Sequence, residues 1–170
     1  MREALSALNQ LVDDGVIGEY AIGGAVGASF YIEAMQTEDV DAFAFIPETS
    51  SGLVLLTPIY EALSRLGGVV EREYVRFGAW PLQILTDATP LIAEAIRHAV
   101  DVEFDGIPTR VFLPEHLCAI ALQTGRTKDY LRVSMFLEQG AVERDKLADV
   151  VGRYGLEEQM ARVQDMEPGR

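Results

Sequence analysis

Residues 37–45 read Thr-Glu-Asp-Val-Asp-Ala-Phe-Ala-Phe, which puts two aspartates at the start of an apolar run. From Val40 onward the apolar side chains are typical of a β-strand. Side chains two residues apart in a strand share a face, so we expect Asp39 and Asp41 side by side, roughly 6–7 Å apart at the backbone. Two such carboxylates repel each other unless a cation lies between them, and oxygen-rich pairs suit Mg²⁺ or Mn²⁺. The alternative is a solvated start of a strand that carries two surface aspartates.

A glycine pair precedes this stretch. Residues 19–22 are predicted as a short strand, Gly23 and Gly24 follow directly, and an apolar helix is predicted over residues 25–35. Backbone N–H groups at a helix start attract anions, and glycine lets a phosphate approach closely. The pattern therefore predicts a phosphate-binding turn. A tight strand-to-helix turn without a ligand is the alternative.

The order strand, Gly-Gly, helix, Thr-x-Asp-x-Asp, strand resembles the nucleotidyltransferase superfamily with the DNA polymerase β-like fold. It is most similar to the small bacterial branch that includes the AbiEii-type abortive-infection toxins. In that branch a threonine stands two residues before the first aspartate, as Thr37 does before Asp39. The resemblance implies transfer of a nucleoside monophosphate from an NTP to a hydroxyl or phosphate acceptor, assisted by a divalent metal. It leaves the acceptor open.

A second segment carries the same resemblance. The branch has a Pro-Glu-x-Leu helix followed by an Arg-x-Lys-Asp motif, and here Pro114 opens the helix and Arg126-Thr-Lys128-Asp129 follows. Lys128 and Arg132 are four residues apart and share a helix face. With Arg126 they form a cationic cluster that would neutralise NTP phosphates opposite the metal. The alternative is a solvated helix start in which Lys128 and Arg132 pair with Asp129 or Glu115.

Three positions depart from the family pattern. Met35 stands where the branch usually has an arginine, and Ala121 stands where it often has a lysine. The third acidic residue of the superfamily is replaced by Gln83. Glutamine offers a neutral oxygen, which is a weaker ligand for Mg²⁺ and cannot act as a general base.

Another acid could replace the third carboxylate. Asp87 has the strand parity of Gln83 but lies four residues on, roughly 13 Å away along a straight strand. Glu71 and Glu73 share a face of the neighbouring predicted strand and are better candidates. The sequence leaves this choice open.

Composition limits the classes of partner. The formal net charge is −13 over 170 residues, and the calculated pI is about 4.5. This argues against an extended nucleic-acid interface, because such binding depends on lysine and arginine neutralising phosphates. No run reaches the roughly 18 apolar residues of a membrane span, and no signal-peptide pattern opens the chain, so we expect a cytoplasmic protein without membrane contact.

The few histidines and the single cysteine do not suggest a zinc site. His116 lies in an otherwise apolar helix start, where a capping or core role is expected. Cys118 has no intramolecular disulfide partner and lies in an apolar helical segment, so we expect a buried core residue rather than a nucleophile.

The predicted fold class is α/β (α+β), with a nucleotidyltransferase-like mixed β-sheet flanked by helices and followed by a C-terminal helical region. Residues 1–113 are assigned to the α/β core and residues 114–170 to the helical region, packed as one compact unit. Helices are predicted over residues 2–13, 25–35, 53–66, 89–97, 115–123, 128–139, 143–154 and 156–163. Strands are predicted over residues 19–22, 40–46, 69–77, 80–85, 99–104 and 109–112. Thr127 is the predicted N-cap of the helix over 128–139.

Two functions follow from these observations. The first is a metal-dependent nucleotidyltransferase, with NTP and an unknown acceptor (RNA, protein or small molecule) as substrates, Mg²⁺ or Mn²⁺ as cofactor, and an antitoxin-like protein partner if it belongs to a toxin–antitoxin pair. The second is a catalytically weakened member of the fold that binds a nucleotide or a protein, which Gln83, Met35 and the acidic surface favour. The assigned residues are Asp39 and Asp41 for catalysis and metal, Gly23, Gly24, Thr37, Arg126 and Lys128 for the nucleotide, and Gln83 for the doubtful third position.

Overall fold

The computed structural model describes residues 1–33, 37, 39–47 and 55–166. The helices in these ranges are α1 (Arg2–Asp13), α2 (Gly24–Ala28), α3 (Thr57–Arg65), α4 (Pro90–His98), α5 (Pro114–Thr124), α6 (Thr127–Glu138), α7 (Arg144–Tyr154) and α8 (Glu157–Met166). The strands are β1 (Tyr20–Ile22), β2 (Val40–Ala44), β3 (Val69–Glu71), β4 (Tyr74–Phe77), β5 (Trp80–Thr86), β6 (Val100–Phe104) and β7 (Ile107–Val111). No helix in the described ranges is both long enough and apolar enough to cross a membrane.

All seven strands form one mixed sheet in the order β3-β4-β5-β2-β1-β7-β6. The strand that directly follows Asp39 and contains Asp41, β2, lies at the centre, antiparallel to β1 and parallel to β5. The outer strands are joined by short turns, and Asp105-Gly106 forms the turn between β6 and β7. The predicted α/β fold class with a mixed sheet is confirmed.

Alternation along β2 directs two sets of side chains to opposite faces of the sheet. Val40, Ala42 and Ala44 share one face, as strand alternation requires, and are fully buried in a core formed with α1 and α3. On α1, Leu5 and Leu8 contribute to this core, and each fully buried side chain of that size stabilises the fold by about 1.5–3 kcal/mol. The opposite face of β2 carries Asp41 and Phe43.

That second face is covered by the helices of the C-terminal half. Phe43 packs on Phe112 with ring centroids 5.0 Å apart, in a core that also holds Leu117 of α5 and Phe136 of α6. Cys118 is fully buried in the same core, and burial raises the pKa of its thiol, in agreement with the predicted core role. The helices of residues 114–166 thus share a core with the sheet, while the domain boundary after residue 113 stays a prediction.

Two predicted elements were wrong in extent. The single strand predicted over residues 69–77 is two strands, because the chain turns at Arg72, whose φ is +58°, and pairs Glu71 with Tyr74 across a hairpin. Arg72-Glu73 carries none of the usual turn residues, so the sequence gives no warning of this turn. A second turn, at Gly78, joins β4 and β5.

The predicted helix over residues 25–35 is also shorter. α2 ends at Ala28, and the following N–H groups of Phe30 and Tyr31 donate to carbonyls three residues back, which tightens the chain into turns. The Ser29 hydroxyl donates to the carbonyl of Val26, at 2.7 Å, and this competes with a continuing helix. Residues 34–36, including Met35, lie outside the described residues.

Candidate active site

A cleft of about 850 Å³ lies between the sheet and helices α5 and α6. Its floor is the face of β2 and β5 opposite α1, and its wall is formed by the facing sides of the two helices. Seven of the eight residues assigned to the site from the sequence line this cleft, namely Gly24, Thr37, Asp39, Asp41, Gln83, Arg126 and Lys128. The structure therefore brings together residues more than 100 positions apart in the chain.

The two aspartates lie at the start of β2 and share the cleft. The backbone of Asp41 is fixed by Gly23, whose N–H donates to the Asp41 carbonyl at 2.9 Å. The Thr37 hydroxyl lies 3.2 Å from the carbonyl oxygen of Asp39 and 3.3 Å from its Oδ1, so its one proton is shared between these two acceptors and orients Asp39. Two partly buried carboxylate groups are thereby held in one cleft, with one of them oriented by a neighbouring hydroxyl.

The surroundings of Asp41 disfavour its ionised form. Burial and the negative charge of Asp39 raise the pKa of Asp41 from 3.8 to about 6, while the charges of Arg132, Arg126 and Lys128 lower it in part. The carboxylate is therefore costly to ionise in the protein alone. A cation between the two aspartates would remove this cost, which fits the ligand chemistry of Mg²⁺ or Mn²⁺.

The glycine pair is required sterically. Gly24 has a φ of +57°, and a Cβ at this position would lie 2.1 Å from Oδ2 of Asp41. A Cβ on Gly23 would lie 2.6 Å from the ring of Phe43. Both glycines thus let neighbouring side chains of the site approach the backbone, and closeness to a phosphate stays a prediction. Because α2 has only five residues, its dipole is smaller than the predicted long helix would supply.

Gln83 lies beside the aspartates. On the parallel strand β5 it is paired in register with Asp41 of β2, and its side chain lines the same cleft. Tyr74, on the next strand β4, also lines the cleft and was missed, because its position depends on the turn at Arg72 that the sequence did not reveal. Glutamine therefore occupies the strand position nearest to the pair.

Glu71 and Glu73 lie outside the cleft. Glu71 lies on the edge strand β3 and accepts two hydrogen bonds from Arg76, at 2.8 and 3.0 Å. Neither it nor Glu73 lines the cleft, so neither completes the site. The only carboxylate besides the pair among the described residues that line the cleft is that of Asp129.

Asp129 organises the basic wall of the cleft. Its side chain is 1 % exposed and accepts from Arg126 Nε at 2.7 Å and from Arg132 Nη1 at 3.4 Å. It also accepts from the backbone N–H of Arg126, at 3.3 Å, so Arg126 is the N-cap of α6. The predicted N-cap at Thr127 was wrong for this reason, since a carboxylate three residues ahead already satisfies the helix start. Lys128 is exposed at the rim.

A second cluster of potential ligands lies outside the cleft. Glu94, His98 and His116 have ligand atoms within 4.8 Å of one another. However, the Glu94 carboxylate accepts from His116 Nε2 (3.0 Å), from both terminal nitrogens of Arg153 (2.6 and 2.8 Å) and from the Tyr154 hydroxyl (2.6 Å). These donors use its four lone-pair directions, so the cluster is an ion-pair network that joins α4, α5 and α7. His116 is 2 % exposed, as expected for a core residue.

Comparison with known proteins gives the fold. No protein-family model matches the sequence, and no curated protein matches it. The structure is similar to a crystal structure of an antigenic nucleotidyltransferase-like protein from Paracoccidioides brasiliensis, with a TM-score of 0.55 and 13% identity over 96% of this chain and 92% of that one. It is also similar to a solution structure of the antibiotic-resistance factor ANT(2″)-Ia, with a TM-score of 0.54 and 15% identity over 95% of this chain and 94% of that one. The chain therefore has a nucleotidyltransferase-like fold along almost its whole length.

Proposed function

We propose that the protein is a metal-dependent nucleotidyltransferase that transfers a nucleoside monophosphate from an NTP to an acceptor. The observation that carries this proposal is the cleft itself, in which a repelling carboxylate pair faces three cationic side chains. A divalent cation and a polyphosphate are the ligands that such a combination would accept. The nucleotidyltransferase-like fold supports the same conclusion.

Asp39 and Asp41 would hold Mg²⁺ or Mn²⁺, and Thr37 would keep Asp39 oriented through its hydroxyl. The metal would neutralise charge on the transferring phosphoryl group. Gly24 would let the phosphates approach the start of α2, and Lys128 at the rim would meet them from the opposite wall. The protein mainly positions the reactants and stabilises charge in this chemistry.

The reaction would form a bond between the acceptor oxygen and the α-phosphorus, and it would break the bond from that phosphorus to pyrophosphate. The acceptor oxygen loses its proton in this step, and Gln83 cannot take that proton, because an amide is not a base at neutral pH. The proton would pass to the carboxylate of Asp41, which is the register partner of Gln83 on β2. The acceptor class, whether RNA, protein or small molecule, is open.

The position of Gln83 favours a second candidate function. If catalysis requires a third acid, the protein binds a nucleotide without efficient transfer and acts as a nucleotide-binding or protein-interaction module. The place of Gln83 beside Asp41, with no other free carboxylate among the described lining residues, is the specific observation behind this alternative.

The same proposal includes a biological role for the protein. A cytoplasmic AbiEii-type toxin with an antitoxin-like protein partner is supported by the spacing of Thr37, Asp39 and Asp41 and by the Arg126-x-Lys128-Asp129 motif. A toxin of this kind would modify a cellular acceptor until its partner blocks it. Co-purification of a tagged chain from its own host, with and without the neighbouring genes, would test for that partner.

The proposed activity is tested with α-labelled NTPs, Mg²⁺ or Mn²⁺, and total cellular RNA or protein as acceptor. Wild type should transfer label to one of these fractions, and Asp41→Ala should not. The exposed Asp13 on α1 provides a matched control, since Asp13→Ala removes a carboxylate far from the cleft. Equal transfer by wild type and Asp41→Ala would contradict the proposal, whereas nucleotide binding without transfer in wild type would favour the second function.

A further inference from the structure

The most buried cation of the cleft is Arg132 on α6. The residue is 9 % exposed and lines the cleft. Within the described ranges, its guanidinium makes one hydrogen bond, from Nη1 to Oδ1 of Asp129, at the long distance of 3.4 Å. Its Nε is buried and has no hydrogen-bond partner among the residues that the structure describes. A guanidinium has five N–H donors, so the described residues use little of its capacity.

Such a group is unusual inside a protein. Buried charges are normally paired and hydrogen-bonded, because removing them from water otherwise costs several kcal/mol, by the general magnitude for buried ions. Asp129 cannot fully satisfy Arg132, since its Oδ2 is already held by Arg126 Nε at 2.7 Å. Arg132 lines a cleft with room for a ligand. An anion bound in that cleft would supply a partner that the described residues do not offer this side chain.

The charges of the cleft indicate which kind of anion. Among the described lining residues, three carboxylates (Asp39, Asp41 and Asp129) are matched by three cations (Arg126, Lys128 and Arg132). One divalent metal ion therefore leaves the cleft with an excess of positive charge. A polyphosphate balances this excess, and its oxygens accept paired N–H groups of a guanidinium.

We propose that Arg132 binds a phosphate group of the nucleotide, and that Asp129 is a positioning residue that holds its guanidinium at the cleft. The inference rests on the proposed function. The sequence predicts Arg132 in a phosphate-neutralising cluster with Arg126 and Lys128 and assigns only the latter two to the nucleotide; the inference gives the main phosphate contact to Arg132. The Arg126 side chain is 59 % exposed and its Nε is committed to Asp129, so it contributes less to the phosphate site.

The test is calorimetric titration of ATP and of inorganic pyrophosphate, each with Mn²⁺, into wild type, Arg132→Gln, Arg132→Lys and the matched control Arg126→Gln. We expect Arg132→Gln to weaken both ligands at least tenfold and Arg126→Gln to weaken them less than threefold. Arg132→Lys should fall between these values, because lysine keeps the charge but loses the planar pair of donors. Binding of Mn²⁺ alone should stay as tight as in wild type for Arg132→Gln, or become tighter, which a collapsed cleft would not allow.

The titrations distinguish the inference from the proposed function. Unchanged ATP and pyrophosphate affinity in Arg132→Gln would overturn the inference and leave the proposed function standing. Absence of ATP and pyrophosphate binding by wild type would overturn both. If Arg132→Gln does not fold by circular dichroism, Arg132→Lys settles the question. A folded lysine variant with at least threefold weaker pyrophosphate binding supports the assignment, and one with wild-type affinity refutes it.

Discussion

Replacing Asp41 by asparagine should stabilise the metal-free protein at neutral pH. The folded protein raises the pKa of this carboxyl from 3.8 to about 6, first through burial and then through the charge of Asp39. An acid with a raised folded-state pKa holds its proton more tightly in the folded than in the unfolded chain. The stability of wild type therefore falls as the pH rises from about 4 to about 6, and above that range the full cost of the ionised carboxylate remains.

The size of the stability gain follows from the raised pKa of Asp41. A change of roughly 2 pKa units corresponds to about 3 kcal/mol at about 1.36 kcal/mol per unit, which is an upper limit for a side chain that is only partly buried. Asparagine has nearly the same shape and no charge. For a chain of this size, 1 kcal/mol moves the melting temperature by about 2–4 °C, so Asp41→Asn should melt up to roughly 6–12 °C higher at pH 8.

Melting curves at pH 4 and pH 8, with and without Mn²⁺, measure this prediction. At pH 4 the two proteins should melt together, and at pH 8 without metal the variant should be the more stable. Mn²⁺ should raise the melting temperature of wild type and leave that of Asp41→Asn unchanged. An Asp13→Asn control, at an exposed helix end, should follow wild type under all conditions. Equal melting of Asp41→Asn and wild type at pH 8, or a difference that is the same at both pH values, would refute the reasoning.

Three further predictions concern neighbouring groups. Gln83→Asp should tighten Mn²⁺ binding and raise any transferase activity while lowering metal-free stability, because it adds a third carboxylate in register with the aspartate of β2. Titration, labelled-NTP transfer and melting curves measure these effects, and the control Gln123→Asp on α5 should not raise activity. Gly24→Ala should abolish Mn²⁺ binding in the same titration, since its Cβ would lie 2.1 Å from a carboxylate oxygen of the site. The control Gly140→Ala, at a position with a similar φ of +64° and open space around it, should lower the stability by only about 1 kcal/mol and keep Mn²⁺ binding. Glu94→Gln should lower the free energy of unfolding at pH 7, measured by urea titration, by about 2 kcal/mol without changing Mn²⁺ affinity. Arg153 and the other donors lower the pKa of this carboxyl below its usual 4.5, so the stability difference between wild type and variant should shrink as the pH falls below that value.

Local patterns predicted the centre of the molecule well. The apolar run after Val40 and the i, i+2 rule placed β2 and the two faces of its side chains correctly, because strand alternation is a property of the backbone. Gly23 and Gly24 marked a real turn, although the structure shows that Phe43 and an aspartate oxygen set the steric limit there. Such short-range features follow from covalent geometry and can be read directly from the chain.

Features that depend on distant partners could not be read in this way. The burial of Arg132 depends on how α6 packs in the folded chain, and a helix-face argument alone cannot tell an exposed cation from a buried one. The Glu94 network joins three helices through residues up to 60 positions apart, which no spacing rule connects. The turn at Arg72 lacks turn residues and is fixed by strand pairing, so the predicted single strand was divided in two.

The strand order has a consequence for synthesis of the chain. β1 lies between β2 and β7, and Ile22 pairs with Val111, which leaves the ribosome roughly 90 residues later. At about 5–20 residues per second, this takes roughly 5–20 seconds. During that interval one edge of β1 has no partner strand, although all three of its residues are buried in the finished protein. Unpaired apolar edges associate with other chains, so the topology sets a time window in which aggregation on the ribosome competes with folding.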